Sequence, residues 1–181
     1  ERTFSSVWFS IRKRLPWLHV NLVTAFAAAG VVAIFEDIIH QITALAIFLP
    51  VVAGQGGNSG AQTLAVVMRG LVMREIPKGK FKKLIFKEGL VGCINGVIIG
   101  IVTALIAWLW RGNPFLGIII GMGMIVNLVA AGLSGAAIPI AMKHFGADPA
   151  QSSSIILTTV TDVVGFFSFL SFAVVFQKLL L

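Results

Sequence analysis

The stretch Phe115–Met142 reads FLGIIIGMGMIVNLVAAGLSGAAIPIAM, 28 residues without an Asp, Glu, Lys, Arg or His. About 20 apolar residues in a helix cross the hydrocarbon core of a bilayer, so this run predicts a membrane span with length to spare. Four further runs surround it: Trp17–Phe35, Ile42–Met68, Leu84–Trp110 and Ser152–Phe176, of 19, 27, 27 and 25 residues. The four longer than 20 are expected to tilt or kink, and Pro50 and Pro139 lie inside two of them. A β-barrel would need strands of roughly ten residues with two-residue alternation, which the runs lack. The fold class expected is an all-α membrane protein of five transmembrane helices.

Composition agrees. Of 181 residues, 57% are apolar and 12% charged, and the mean hydropathy is +0.97. A soluble domain carries about 25% charge, so a water-soluble globule and a disordered tail are both excluded. With Cys93 the sole cysteine, so is a disulfide scaffold. The net charge of +7 would suggest nucleic acid in a soluble protein. Here the bases flank apolar runs, where they orient helices in a lipid bilayer. No nucleic-acid partner is expected.

Orientation follows from those bases. Arg2, Arg12, Lys13 and Arg14 precede the first span. Arg69, Arg74, Lys78, Lys80, Lys82, Lys83 and Lys87 surround the junction of spans two and three, and Lys143 follows span four. All share one side if the N-terminus is cytoplasmic, which puts the C-terminus outside. Ser5–Leu15 reads as an amphipathic cytoplasmic helix leading to Pro16, so residues 1–16 are expected as a connecting helix and 17–181 as the five-helix domain. The chain starts without methionine or a signal-peptide layout, and a lost upstream part is the expectation.

Polarity enters these spans in two places. Asp162 lies ten residues past Ser152, about 15 Å into a helix rising about 1.5 Å per residue. An ionisable group at that depth is costly and marks a functional site by default. Gln151, Ser154, Thr158, Thr161, Gly165 and Ser168 share its side of span five. Hydroxyls alone would suit helix packing, but packing does not call for an acid. The second place is Pro50–Gln62, PVVAGQGGNSGAQ, in mid-span two. Gln55, Asn58, Ser59 and Gln62 share a face, and Gly54, Gly56, Gly57 and Gly60 let a helix or an ion approach the backbone.

The other unusual residues read as structural. Gly92, Gly96 and Gly100, and Gly117 and Gly121, recur every four residues in the small-residue packing pattern. Asn95 and Asn127 read as interhelical bridges. His19, His40 and His144 lie near span ends without metal-ligand spacing, and Cys93 reads as a small buried residue.

Hydroxyls, amides and one acid suit a hydrated hard cation. Copper or zinc would favour Cys, His or Met, whereas Mg²⁺ keeps several waters and takes one or two carboxylates. One acid per chain is a modest countercharge, and two chains about an axis supply two. This suggests a homodimer with the ion path at its interface.

The Gly-Gly-Asn-Ser-Gly core of Pro50–Gln62 resembles the signature of the MgtE family of magnesium channels. So do Gly146-Ala-Asp-Pro-Ala150 followed by Thr-Asp162-Val-Val-Gly165, and the Lys87-Glu88-Gly89 start of span three. The likeness covers nearly the whole chain. It implies a dimeric Mg²⁺-selective channel in the plasma (inner) membrane, its pore between protomers and lined by spans two and five. It implies that Asp162 carries the central site, holding the ion largely through its waters. Gly54, Asn58, Gln151, Ser154 and Thr158 match pore-lining positions, and Asp148 an acid near the cytoplasmic mouth. Ser154 stands where some members have Asn, and Ile155 where many have Pro. Full-length members usually carry a cytoplasmic regulatory region, and its absence from this chain is the expectation.

Three other readings compete, and one of them, a purely structural membrane subunit, does not explain Asp162 in its polar strip. Glycine-rich helices also serve coupled exchangers and secondary transporters. Gly57-Asn58-Ser59-Gly60 fits the Gly-x-Ser-Gly pattern of rhomboid proteases, but a serine nucleophile needs a base within reach, and spans three to five hold no mid-membrane histidine. An enzyme is not expected.

Overall fold

The computed structural model describes residues 4–77, 79–146 and 149–180, without the side chains of Ala150 and Gln151. Arg2, Lys78 and Asp148 lie outside the described residues, as does the side chain of Gln151. Seven helices follow one another: α1 (Val7–Ile34), α2 (Glu36–Gln41), α3 (Ala44–Val72), α4 (Phe81–Arg111), α5 (Pro114–His144), α6 (Pro149–Val175) and α7 (Gln177–Leu180). There is no strand among the described residues. Among the described residues, four helices, α1, α4, α5 and α6, are long and apolar enough to cross a membrane. α3, with 29 residues, is as long as they are, but its mid-helix amides and glycines dilute its apolar character.

Local chemistry explains the ends. Ser6 caps α1 by accepting from the Phe9 amide at 3.4 Å. α4 stops at Gly112, whose φ of 74° is left-handed and suits a residue without Cβ. Asn113 then accepts from the Phe115 and Leu116 amides at 2.9 and 3.3 Å, and Pro114 takes the first helical position, where its missing N–H costs nothing. Three residues thus fold α5 back along α4. Pro16, Pro50 and Pro139 all lie inside helices that continue through them. The amphipathic segment expected before Pro16 and the apolar run after it therefore form one helix, α1.

α5 is apolar on every side, as a helix surrounded by others must be. It packs on α4, α3 and α6, while α1 lies against α6. The core joins Leu45, Phe48 and Val52 of α3 to Ile120, Met124 and Leu128 of α5 and Phe169 and Leu170 of α6. The α4–α5 seam is backbone on backbone. A Cβ on Gly92 would lie 2.3 Å from the Leu128 carbonyl oxygen, and one on Gly132 would lie 2.3 Å from that of Glu88. Lipid is as apolar as leucine, so close packing of this kind holds membrane helices together. The outer surfaces of α1 and α4 expose Val23, Phe26, Ile94, Ile98, Ile101 and Leu105. Asn95 is also exposed there and bonds to no other helix among the described residues, and Cys93 is partly exposed rather than buried.

Contacts sort the helix ends. Lys143 donates to the Leu71 carbonyl at 3.5 Å, joining the C-terminal ends of α3 and α5. Asn113 donates to the Leu180 carbonyl at 3.5 Å, and Gln177 donates to Gln41, at the other end. Arg69, Arg74, Lys80, Lys82, Lys83 and Lys143 thus gather at one end of the bundle, and Arg111 and Lys178 at the other.

Candidate ion-path site

α3 has two unlike faces. Towards α5 and α6 it buries Leu45, Phe48, Val52, Gly56, Gly60, Thr63 and Val67. Its exposed side runs Ile47, Val51, Gln55, Asn58, Gln62, Val66 and Arg69, with Pro50 and Gly54 alongside, a spacing of three to four residues that forms one stripe. The amides therefore stand at mid-helix on the protomer's surface. The glycines divide by role: a Cβ on Gly54 or Gly57 would meet nothing within 4 Å, whereas Gly56 and Gly60 face side chains of α5 and α6.

α6 divides in the same way. Ser154 and Thr158 are exposed, Asp162 is half-buried, and Leu157, Thr161 and Gly165 are buried. Several hydroxyls satisfy themselves on their own helix: Thr158 donates to the Ser154 carbonyl at 2.9 Å, and Thr161 to that of Leu157 at 3.2 Å. Such back-bonding removes the donor's cost in an apolar medium and leaves oxygen lone pairs free to accept.

Two packing points fix α6 against α3. A Cβ on Gly60 would lie 2.8 Å from Leu157 Cδ1. Gly56 and Gly165 meet through the carboxamide of Asn127, which donates to the Val52 carbonyl at 2.8 Å. Asp162 lies between Leu157 and Gly165 along α6, and so at the level of Gly56–Gly60 along α3. Of the expected site residues, Gly54 and Asn58 share the exposed stripe of α3, and Ser154 and Thr158 the exposed side of α6, with Asp162 part-buried beside them. Gly146 and Pro149 flank the undescribed Asp148.

Among the described residues, no group of three or more His, Cys, Asp and Glu could hold a metal directly. The donors on offer are amides, hydroxyls and one carboxylate, a set for a hard cation that keeps its waters. A separate cavity of about 1150 Å³ lies at the basic end of the bundle, lined by Leu71, Arg74, Ile76, Phe81, Ile85, Ile140, Lys143 and His144. It shares no residue with the polar stripe, and its mainly apolar wall offers a hydrated cation nothing.

The MgtE family model, described as a divalent cation transporter, matches residues 49–172. The chain belongs to the MgtE family. The match runs from just before Pro50 to ten residues past Asp162, and so takes in both polar stretches. The description of that model is of a transporter and not of an enzyme. The chain is 34% identical to the magnesium transporter MgtE of Bacillus subtilis, over 91% of this chain and 36% of that protein. It is 33% identical to that of Enterococcus faecalis, over 92% and 37%, and 30% identical to that of Thermus thermophilus, over 88% and 35%. It thus spans little more than a third of the length of these MgtE relatives.

Asn127 bridges α5 to α3 and Lys87 pairs with Glu88, as the sequence suggests, but sequence reading missed what else these side chains meet. Gly56 and Gly165 are notches for one side chain of a third helix, and Glu88 is buried against Thr63 of α3. The signals were an amide in a charge-free span and an acid just inside another.

Proposed function

We propose that the chain forms the membrane pathway of a Mg²⁺ channel in the plasma (inner) membrane. α3 is its fifth span, the N-terminus and the basic end of the bundle are cytoplasmic, and the C-terminus is outside. Two copies meet along the exposed sides of α3 and α6. Between them runs a path lined by Gly54, Asn58, Gln151, Ser154 and Thr158, with Asp148 near its cytoplasmic mouth. Asp162 of each copy faces the ion at the centre and binds it through its waters.

The observation that carries this reading is the stripe Gln55–Asn58–Gln62, exposed at mid-helix beside Asp162 on a bundle whose other outer faces are apolar apart from the single amide of Asn95. Polar groups without a partner are expensive in lipid, so this side calls for water, ions or a second copy. The relatives' names support Mg²⁺ as the cargo. α3 continues unbroken through residues 50–62, which favours a channel over the exchanger reading based on interrupted helices. The test is Mg²⁺ flux into proteoliposomes. The expected result is uptake that follows the Mg²⁺ gradient without a counter-ion gradient and that Asp162→Asn strongly reduces. Uptake that depends strictly on Na⁺ or H⁺ would contradict the channel.

A further inference from the structure

We propose that Asn127 is a positioning residue for the ion path: its buried carboxamide sets the distance between α3 and α6 at the level of Asp162 and thereby the preference among divalent cations. This deepens the reading above and rests on it.

Asn127 lies mid-way along α5 and is 0% exposed. Its Nδ2 donates to the Val52 carbonyl of α3 at 2.8 Å, which fixes the amide's orientation. On one side, a Cβ on Gly56 would stand 2.3 Å from Nδ2, and on the other, a Cβ on Gly165 would stand 2.6 Å from the same atom. No real side chain tolerates such distances, so one carboxamide fills notches cut into both helices. Gly56 is two residues from Asn58 and from Gly54, and Gly165 is three residues from Asp162. A change in the size of the amide therefore moves the carboxylate and the α3 amides relative to one another.

Packing alone does not account for an asparagine here. Its Oδ1 is buried without a hydrogen-bond partner among the described residues, which is unfavourable in a dry interior, and an apolar side chain would avoid that cost. What the amide gains is the bond it donates to α3. A hydrated cation is held by groups that must span its water shell, so a shift of well under a helix diameter changes which ion fits.

The test compares Mg²⁺ and Ca²⁺ uptake into proteoliposomes for the wild type, Asn127→Leu, Asn127→Ala, Gly56→Ala and the double variant Asn127→Ala/Gly56→Ala. The Mg²⁺/Ca²⁺ ratio is the readout, because a purely structural residue changes the amount of folded protein and leaves the ratio alone. In folded Asn127→Leu the ratio is expected to change by about tenfold or more, given the sensitivity of such sites to ångström displacements. In the double variant the methyl group on residue 56 occupies the vacated notch, and the ratio is expected to return towards that of the wild type. A wild-type ratio in folded Asn127→Leu overturns the proposal. If Asn127→Leu does not fold, the double variant decides, and simply additive effects of the two single changes overturn the proposal. Asp162→Asn, assayed in parallel, separates the two readings. Wild-type uptake by that variant defeats the ion-path reading itself. Its loss of uptake, together with an unchanged ratio in folded Asn127→Leu, defeats only the role of Asn127.

Discussion

Lys87 Nζ lies 2.7 Å from Glu88 Oε1, and the two side chains are unequally buried: 62% of the lysine is exposed and 6% of the glutamate. The other carboxylate oxygen of Glu88 accepts from Thr63 of α3 at 3.4 Å. The acid is thus the buried partner, and the base reaches in to it from the basic end of the bundle.

That inequality gives the first prediction. Lys87→Met leaves a buried carboxylate with only a hydroxyl for company, and breaking a buried pair this way costs about 3–5 kcal/mol at most. Glu88→Gln keeps an acceptor for Thr63 and frees a lysine that can turn to water, so its cost is about 1 kcal/mol. Unfolding in detergent titrated with denaturant is expected to rank Lys87→Met as clearly the more damaging. Equal losses would mean that the pair acts as a surface ion pair.

The glycines provide the second. Gly92→Ala drives a methyl group into the backbone of α5 and is expected to cost about 2–3 kcal/mol, the upper part of the overpacking range. Gly54→Ala meets open space and is expected to keep or slightly raise stability, by up to about 1 kcal/mol from helix propensity. Its effect should appear in Mg²⁺ flux instead. Thermal unfolding of both variants checks the contrast, and a Gly54→Ala as unstable as Gly92→Ala would place Gly54 in a packed seam.

The third concerns the second copy. With Cys93→Ala as background, Asn58→Cys and Gln62→Cys are expected to link two chains through a short bifunctional maleimide in native membranes. Ile98→Cys, on the outer apolar side of α4, should not. The readout is the dimer band on a denaturing gel. Linking at residue 98 with none at 58 or 62 would put the contact on the wrong side of the bundle.

The all-helical layout and its long apolar helices were legible in the sequence, because an apolar run matched to bilayer thickness is a one-dimensional signal. The break at Gly112-Asn113-Pro114 and the packing glycines of α4 could be placed from local chemistry alone. The polar stripe of α6 was legible as one side, but not its division: Thr161 and Gly165 turn inward while Ser154 and Thr158 stay outside. A stripe about 100° wide reaches around a helix edge, and only the neighbouring helices decide where it is cut. The meeting of Gly56, Asn127 and Gly165 was out of reach for the same reason, since three helices far apart in the chain have to be assembled first. Pro16 misled in the other direction, because a proline kink or break depends on what surrounds the freed carbonyl.

The central claim is that one hydrated Mg²⁺ is shared by two Asp162 carboxylates. At an effective dielectric of about 20, a unit charge about 5 Å from a dication contributes roughly 6–7 kcal/mol before desolvation. Burying an unoccupied carboxylate offsets much of that. A remaining loss of about 2–3 kcal/mol in Asp162→Asn means roughly 30- to 150-fold weaker binding. Thr158→Val removes a hydroxyl worth about 0.5–1.5 kcal/mol and should weaken binding by roughly tenfold or less. The decisive measurement is Mg²⁺ titration of the purified protein by calorimetry, wild type beside Asp162→Asn. The account expects a site filled by one ion per two chains that the substitution abolishes or weakens by more than Thr158→Val does. Wild-type stoichiometry and affinity in Asp162→Asn would contradict it.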